Sequence, residues 1–204
     1  MRQKPITPPG RPREFDRDEA LHVAMKLFCK HGYEGVSIAE LTAAMNISPP
    51  SLYAAFGSKE ALFREALELY TKRPDLPHFR AASCIREQIK ALLYDTVRAA
   101  TDPDYPAGCM VVAGMLACKP ENEELAESVA DLRTARCEMV NQHLQEAVAS
   151  GQLPPETDTQ AVGRFIMALA QGIAIQAHDG APAEELYALV DVALQNWTMP
   201  QPAG

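Results

Sequence analysis

Residues 37–59 read SIAELTAAMNISPPSLYAAFGSK, and this stretch decides the fold. Ser37 is followed three positions later by Glu40, the spacing of a capping box, which predicts that a helix begins at Ser37. Asn46 is one of the few residue types that tolerate a positive φ, so it suits a sharp corner at the end of this helix. The first part of the stretch therefore predicts one short helix followed by a turn.

A second short helix follows the turn. Ser48 is a favourable N-cap, and Pro49 stands at the first helical position, where its missing N–H removes no hydrogen bond. Ser58 marks a further helix start soon afterwards. Two short helices joined by a tight corner form a helix-turn-helix, the arrangement that places its second helix in the major groove of DNA.

Further signals extend this unit in both directions along the chain. Asp16 is a good N-cap and Gly32 a good terminator for a first helix, and Pro74 and Pro77 close the fourth. These signals predict four regions: a basic flexible arm over 1–15, a helix-turn-helix domain over 16–73, a ligand-binding and dimerisation domain over 74–198, and a disordered tail over 199–204.

The composition favours an all-α protein. Of the 204 residues, 47% are hydrophobic but only 6% are aromatic, with few β-branched runs. The breaks beyond the first domain predict five more helices, about nine in all, at about 81–101, 107–118, 121–150, 158–178 and 182–198. The longest apolar run, 107–118, is too short to span a bilayer, so no membrane partner is expected.

Charge is divided unevenly along the chain. Residues 1–73 hold 11 Lys and Arg against 9 Asp and Glu, whereas residues 74–204 hold 8 against 18. A basic end on an acidic protein fits DNA binding by that end alone. The basic, proline-rich N-terminus is unlike a secretory signal, and five cysteines without a CxxC pair indicate a reduced, cytoplasmic setting.

The helix that begins at Pro49 has a buried and an exposed side. Leu52 and Phe56 are four positions apart and define the buried side. The residues expected at the DNA are Pro49, Pro50, Ser51, Tyr53 and Ala54. The small and apolar groups among them predict contact with thymine methyl groups rather than bidentate hydrogen bonds to bases, and Tyr53 is expected to reach a phosphate. The alternative is an ordinary exposed helix surface.

Several other residues are candidates for phosphate contact. Lys59 lies in the first turn of a helix, where a cation is unfavourable because the helix dipole is positive at that end. A phosphate bound between the ammonium group and the helix N-terminus would make this position favourable. The alternative is a solvated lysine offset by Glu60. Ser37 is either a phosphate ligand or only a cap. Arg11 and Arg13, in an arm that prolines keep extended, follow the DNA backbone or minor groove, or belong to a solubilising tail.

Residues 16–65 contain a dense set of motif positions: Phe28, Gly32-Tyr33, Val36-Ser37-Ile38, Ile47-Ser48, Leu52-Tyr53, Phe56 and Ser58-Lys59-Glu60-Ala61-Leu62-Phe63. With these the chain resembles the N-terminal domain of TetR/AcrR-type transcriptional regulators. The resemblance implies an Ω-shaped, all-α homodimer with two DNA-binding heads and a helical body. It further implies a repressor that binds a palindromic operator and is released by a small-molecule effector.

The resemblance also assigns roles to particular residues. It places phosphate contacts on Tyr53 and Lys59, and groove contacts on Pro50 and Ser51. The family often has threonine where Val36 stands, so one hydroxyl that would contact phosphate is missing. It often has His, Tyr or Asn at the position of Ala54, so the sequence preference of other members is not carried over.

The last two predicted helices suit a dimer. The helix at 158–178 has two apolar stripes, and two such faces need two partners, the core of the subunit and a second subunit. The residues expected at the subunit interface are Phe165, Ala168, Gly172, Leu186, Leu189, Val190, Ala193 and Trp197. The alternative is that these residues form a buried monomer core.

The helix predicted at 121–150 carries Arg136 and His143 on its apolar stripe, where a charge is costly unless it is paired. One interpretation is a pocket for a polar or anionic ligand, and the other is an internal ion pair with a carboxylate such as Asp95. The residues expected to line a pocket are Met110, Met115, Arg136, Met139, His143, Met167 and Gln171. Methionine adapts to irregular ligands but also fills ordinary cores.

Other classes of function fit the sequence less well. The chain has no GxSxG, HExxH, P-loop or GxGxxG motif, so no enzyme activity and no cofactor are predicted. Its five histidines lack ligand spacing, so no metal is predicted. The alternatives are a helical adaptor that binds only protein and a regulator that senses redox state through cysteine. An adaptor would not need the cation of Lys59 beside an exposed Tyr53.

Overall fold

The computed structural model describes residues 16–72, 79, 82–102, 109–115 and 118–196. Over these ranges the protein has nine α-helices, one 3₁₀ helix and no strand. The α-helices are α1 (Arg17–His31), α2 (Ile38–Met45), α3 (Pro49–Phe56), α4 (Lys59–Thr71), α5 (Ile85–Ala100), α6 (Met110–Ala113), α7 (Glu123–Ala149), α8 (Thr159–His178) and α9 (Ala183–Asn196), and the 3₁₀ helix is Pro120–Asn122. The all-α prediction is confirmed. The predicted arm, the tail and the Pro74 boundary lie outside the described residues.

Side-chain caps set the starts of the first four helices, at the predicted residues. The N-caps that accept a hydrogen bond from the first turn are Asp16, Ser37, Ser48 and Ser58. Ser37 and Glu40 form the complete capping box. Among the described residues, Asn46 is the only non-glycine residue with a positive φ, at 54°. The corner between α2 and α3 is therefore the one that the sequence predicts.

The four N-terminal helices, residues 17–71, form a compact head. Helix α1 packs against α2 and α4, and α3 packs against the same two helices. Phe28, Leu41, Leu52 and Phe63 are fully buried in the centre, and burial of each side chain of this size contributes about 1.5–3 kcal/mol. Phe28 and Phe63 meet edge to face with their ring centres 5.1 Å apart.

The core of the head continues into the remaining helices, the body, through α6. Met110, Val111 and Met115 belong to the same buried cluster as the α1 and α4 side chains. The prediction of one helix over 107–118 is wrong, because α6 ends at Ala113 and Gly114 begins a turn. Cys109, Met110, Val111 and Met115 are buried in this segment, and an apolar run of this length does not by itself indicate a long helix.

Helices α5, α7, α8 and α9 form a second core, with α8 in contact with the other three. Leu93, Leu144, Ile166 and Ile173 are fully buried there. The buried residues of α7 are Leu125, Val129, Val140, Leu144 and Ala147. The first two pack into the head cluster and the last three into the second core. Arg136 and His143, predicted on the apolar stripe, are half-buried.

Candidate nucleic-acid interface

Helix α3 presents its small and aromatic residues outward. Leu52 and Phe56 are buried, whereas Pro50 and Ala54 on the opposite side are exposed. Pro49 is also exposed, Ser51 is half-buried, and Tyr53 on the flank is 48% exposed. The predicted orientation of α3 is therefore observed. Residues 48–57 contain no charged side chain, so any reading of bases by this helix relies on shape and apolar contact.

Lys59, the first residue of α4, is held against an aromatic ring. Its ammonium nitrogen lies 4.1 Å from the centre of the Tyr33 ring, a cation–π distance. Burial of the side chain lowers the pKa of Lys59, and the ring compensates for part of the lost hydration. Lys59 is thus fixed beside the helix N-terminus, where an incoming phosphate would meet both the ammonium and the dipole. Sequence reasoning missed Tyr33 as the support of this cation.

Arg17 connects the C-terminal end of α3 to α4 through hydrogen bonds. Its guanidinium donates to the backbone carbonyl of Ala55 at 3.3 Å and to the Glu65 carboxylate at 2.7 and 2.9 Å. The same guanidinium lies 4.5 Å from the centre of the Phe56 ring. Sequence reasoning missed this residue, since its partners are 38 and 48 positions away and no local pattern connects them.

Ser37 is fully engaged in capping α2. Its Oγ–H donates to Glu40 Oε2 at 2.7 Å, its backbone N–H donates to the same oxygen, and its Oγ accepts from the Glu40 N–H. These bonds also lower the pKa of Glu40. Ser37 would have to leave Glu40 to donate to a phosphate, so the geometry favours the capping role.

The head is tied to the body at the loop after α1. The Tyr33 N–H donates to the Gly114 carbonyl at 3.0 Å. Glu34 Oε1 accepts from the Lys119 backbone N–H at 3.0 Å and from Asn122 Nδ2 at 2.7 Å. The bond from the Lys119 N–H is the main reason that the pKa of Glu34 is lowered. The residue that supports Lys59 therefore also contacts the body.

Two family models match the chain, and together they span most of it. The model for bacterial regulatory proteins of the tetR family matches residues 20–66, and the tetracyclin repressor-like C-terminal domain matches residues 86–197. The chain belongs to the TetR family. It is accordingly a helix-turn-helix transcriptional regulator and not an enzyme.

Individual TetR-family proteins are similar over nearly their whole length. The HTH-type transcriptional repressor ComR of Escherichia coli K12 is 34% identical over 192 residues, which cover 92% of this chain and 91% of ComR. The repressor BdcR of the same organism is 32% identical over 190 residues, covering 91% and 90%. A cysteine-substituted variant of the TetR family regulator CifR, complexed with 26-bp double-strand operator DNA, is 41% identical with a TM-score of 0.85, covering 93% of this chain and 100% of that one.

The body of this TetR-family regulator contains a cleft of about 600 Å³ between α7 and α8. The lining residues are Val112, Ala130, Arg133, Thr134, Cys137, Glu138, Asn141, Gln160, Arg164, Gln171 and Ile175. Of the residues predicted to bind a ligand, only Gln171 is among them. The ligand-binding role of the predicted residues stays a prediction.

The other predicted ligand residues do not line this cleft. Met110 and Met115 are buried in the head cluster, and Met167 is buried in the second core, against which the half-buried Met139 packs. His143 meets the Phe79 ring edge to face at 4.8 Å. Arg136 is half-buried on α7 but does not line the cleft. Asp95, the carboxylate suggested for it, forms an ion pair with Arg98 at 2.6 Å.

The predicted dimer residues divide into two groups. Leu186 and Val190 are 1% and 0% exposed, so they belong to the core of the subunit and not to an interface. Phe165 and Ala168 are exposed, Gly172 faces open space, and Leu189 and Ala193 are half-buried. Sequence reasoning missed two exposed apolar residues, Ile175 and Val192. Trp197, like Arg11 and Arg13, lies outside the described residues.

Three further observations concern the predictions about metal, membrane and redox function. The described residues contain no group of three or more His, Cys, Asp or Glu side chains that could hold a metal ion. None of the described helices is long and apolar enough to cross a membrane. All five cysteines are free thiols. The redox-sensing alternative stays a prediction.

Proposed function

We propose that this TetR-family regulator is a repressor that binds a palindromic operator as a homodimer in the cytoplasm. The proposal rests on the exposed, uncharged side of α3, formed by Pro50, Ser51 and Ala54, with Tyr53 and Lys59 as its polar neighbours. Pro50, Ser51 and Ala54 meet base edges in the major groove, while Tyr53 and Lys59 hold the phosphates on its border. CifR, bound to its own operator, and ComR and BdcR, named repressors, support this assignment by similarity.

The exposed apolar strip on α8 and α9 supports the dimer. Phe165, Ala168 and Gly172 recur at i, i+3 and i+7, the spacing of one helix face, and Val192 on α9 is 56% exposed. A second copy of the strip covers these residues through an isologous interface. The two heads of such a dimer meet successive major grooves about one helical turn, roughly 34–36 Å, or a multiple of it apart.

The cleft between α7 and α8 is the proposed effector site. Its volume of about 600 Å³ suits a small organic molecule. The head and body share one buried cluster through α6, so a change at the cleft reaches the head without crossing solvent. The effector releases the operator when it binds the non-binding arrangement of the heads more tightly, by a few kcal/mol.

Selection of genomic fragments by the purified protein tests the operator assignment. The expected result is a small set of fragments sharing an inverted repeat, with footprints of two equal halves. Enrichment of fragments without dyad symmetry, or no enrichment over a selection carried out without protein, would contradict the proposal. The genes beside the selected fragments would then suggest the metabolite to test as an effector.

A further inference from the structure

The cleft between α7 and α8 carries two arginines without a carboxylate partner. Arg133 on α7 and Arg164 on α8 both line it. Within the described part of the chain neither forms an ion pair, and the one hydrogen bond of these guanidinium groups runs from Arg133 Nη1 to the Val111 carbonyl at 2.8 Å. Glu138 also lines the cleft, but it makes no ion pair with either of them. The guanidinium groups therefore remain able to bind an anion.

These two arginines lie in a region of the chain that is mostly acidic. Residues 74–204 hold 18 acidic and only 8 basic side chains, and two of those eight line this cleft. Guanidinium groups match carboxylate and sulfonate oxygens with paired hydrogen bonds. Asn141 lines the same cleft, and its Oδ1 is buried without a hydrogen-bond partner in the described structure. A donor on a ligand would satisfy this oxygen.

The cleft and the proposed dimer strip adjoin on α8. Gln160, Arg164, Gln171 and Ile175 line the cleft. At about 100° per residue, Phe165 and Gly172 lie roughly a quarter turn further around the helix, whereas Ala168 lies beside Ile175. The exposed Ile175 thus lies where the cleft meets the strip.

We infer that the cleft binds a small organic anion, a carboxylate or sulfonate with a hydrogen-bond donor, whose charge is held by Arg133 and Arg164. This inference rests on the proposed function, since it names the chemical class of the effector. Such an anion competes with the Val111 carbonyl for the guanidinium of Arg133. Val111 belongs to α6, Gly114 follows α6, and the Gly114 carbonyl accepts the Tyr33 N–H. The anion thereby acts on the ring that supports Lys59.

Cys137 provides a reporter inside the cleft, because it is half-buried and lies one turn after Arg133 on α7. The full-length protein is treated with 2-sulfonatoethyl methanethiosulfonate, an anion, or with its trimethylammonioethyl analogue, a cation. In both cases the thiolate forms a disulfide and displaces methanesulfinate. Mass spectrometry of peptides gives the labelling rate at Cys137, with exposed Cys118 as an internal reference.

Two guanidinium groups outweigh the single carboxylate of Glu138 in the cleft. The ratio of the sulfonate rate to the ammonium rate should therefore be severalfold higher at Cys137 than at Cys118. Arg164→Gln and Arg133→Gln should lower the ratio severalfold, whereas Arg164→Lys should largely keep it. Arg98→Gln, which changes a paired arginine on α5, should leave it unchanged. Equal ratios in the parent protein and Arg164→Gln would overturn the anion site.

A second arm tests the connection to the head in a Cys84→Ser/Cys118→Ser background. The sulfonate adduct at Cys137 should weaken operator binding at least tenfold, and the neutral methylthio adduct from methyl methanethiosulfonate should not. Charge-selective labelling with unchanged operator affinity would overturn the effector role. Absence of operator binding by the unlabelled protein would instead refute the proposed function, and the labelling ratio would still decide whether the cleft selects anions.

Discussion

The ammonium nitrogen of Lys59 lies 4.1 Å from the centre of the Tyr33 ring. Tyr33 is buried, and its backbone N–H donates to the Gly114 carbonyl in the body. One residue thus supports the cation proposed to hold DNA and also contacts the segment that joins head to body. If the body controls the head, as we propose, we expect the position of Lys59 to change with the arrangement of the body.

Lys59→Ala should weaken binding to all duplexes by similar factors, because a phosphate contact carries no sequence information. The expected loss of binding free energy is about 1.5 kcal/mol or more per subunit. The slope of the logarithm of the binding constant against the logarithm of the salt concentration should become shallower by about one unit per subunit. Lys72→Ala is the matched control, since α4 has 13 residues and Lys72 caps its far end. A loss confined to some sequences would assign Lys59 to bases instead.

Tyr33→Phe should retain most of the DNA affinity, and Tyr33→Leu should lose part of it. Phenylalanine keeps the ring face that attracts the Lys59 ammonium, and leucine removes it, at a cost of about 0.5–2 kcal/mol. Fluorescence anisotropy with a labelled duplex measures the effect, and thermal melts of both variants show whether the head stays folded. Equal affinity in two folded variants would mean that the ring does not support the lysine.

Ala54→Gln should change which sequence is preferred. A glutamine at this exposed position of α3 can form a bidentate pair with adenine, a contact that alanine lacks. Sequencing of duplexes selected by the parent protein and by the variant should therefore differ at one position in each half-site. If Ala54→Gln or a change at Pro50 weakened binding to every sequence equally, the assignment of α3 to the bases would be wrong.

Gly172→Leu should separate subunit folding from dimerisation. A Cβ at this position meets nothing within 4 Å in the subunit, and leucine in a helix is about 1 kcal/mol more favourable than glycine. The isolated subunit should therefore fold at least as well as before, whereas a leucine in the proposed interface would hold the two α8 helices apart. Sedimentation equilibrium should show a weakened dimer. An unchanged dimer would place the interface elsewhere.

Glu34→Gln should reduce the loss of stability at low pH. The pKa of Glu34 is lowered in the folded protein by the bonds from Lys119 and Asn122. Its contribution is thus complete above the ordinary value of 4.5 and disappears as the pH falls through the lowered pKa. Urea unfolding from neutral pH downward should give a smaller decrease for the variant than for the parent protein. Parallel curves would show that the charge of Glu34 does not stabilise the joint.

The head could be predicted from the sequence because its information is local. Ser37 and Glu40, or Ser48 and Pro49, lie within one helical turn of each other, so their residue types alone set the helix starts. The bonds of Arg17 to Ala55 and Glu65 cross the head and leave no local pattern. The same limit applies to the ring of Tyr33 under Lys59.

The body was harder to predict because its helices have several partners. Leu186 and Leu189 both belong to apolar stripes of α9, but the first is buried in the core and the second is only half-buried. Hydrophobicity alone does not distinguish a core face from an interface face. The arginines of the cleft, 133 and 164, come together only when α7 packs against α8.

The salt dependence of operator binding tests the central claim, that α3 and its flanking groups hold duplex DNA. Anisotropy titrations with a genome-selected operator fragment should give an affinity that falls about 10³-fold or more between about 50 and 200 mM salt, as expected for several phosphate contacts in a dimer. An affinity that hardly changes over this range, or no binding to any duplex at low salt, would contradict the account.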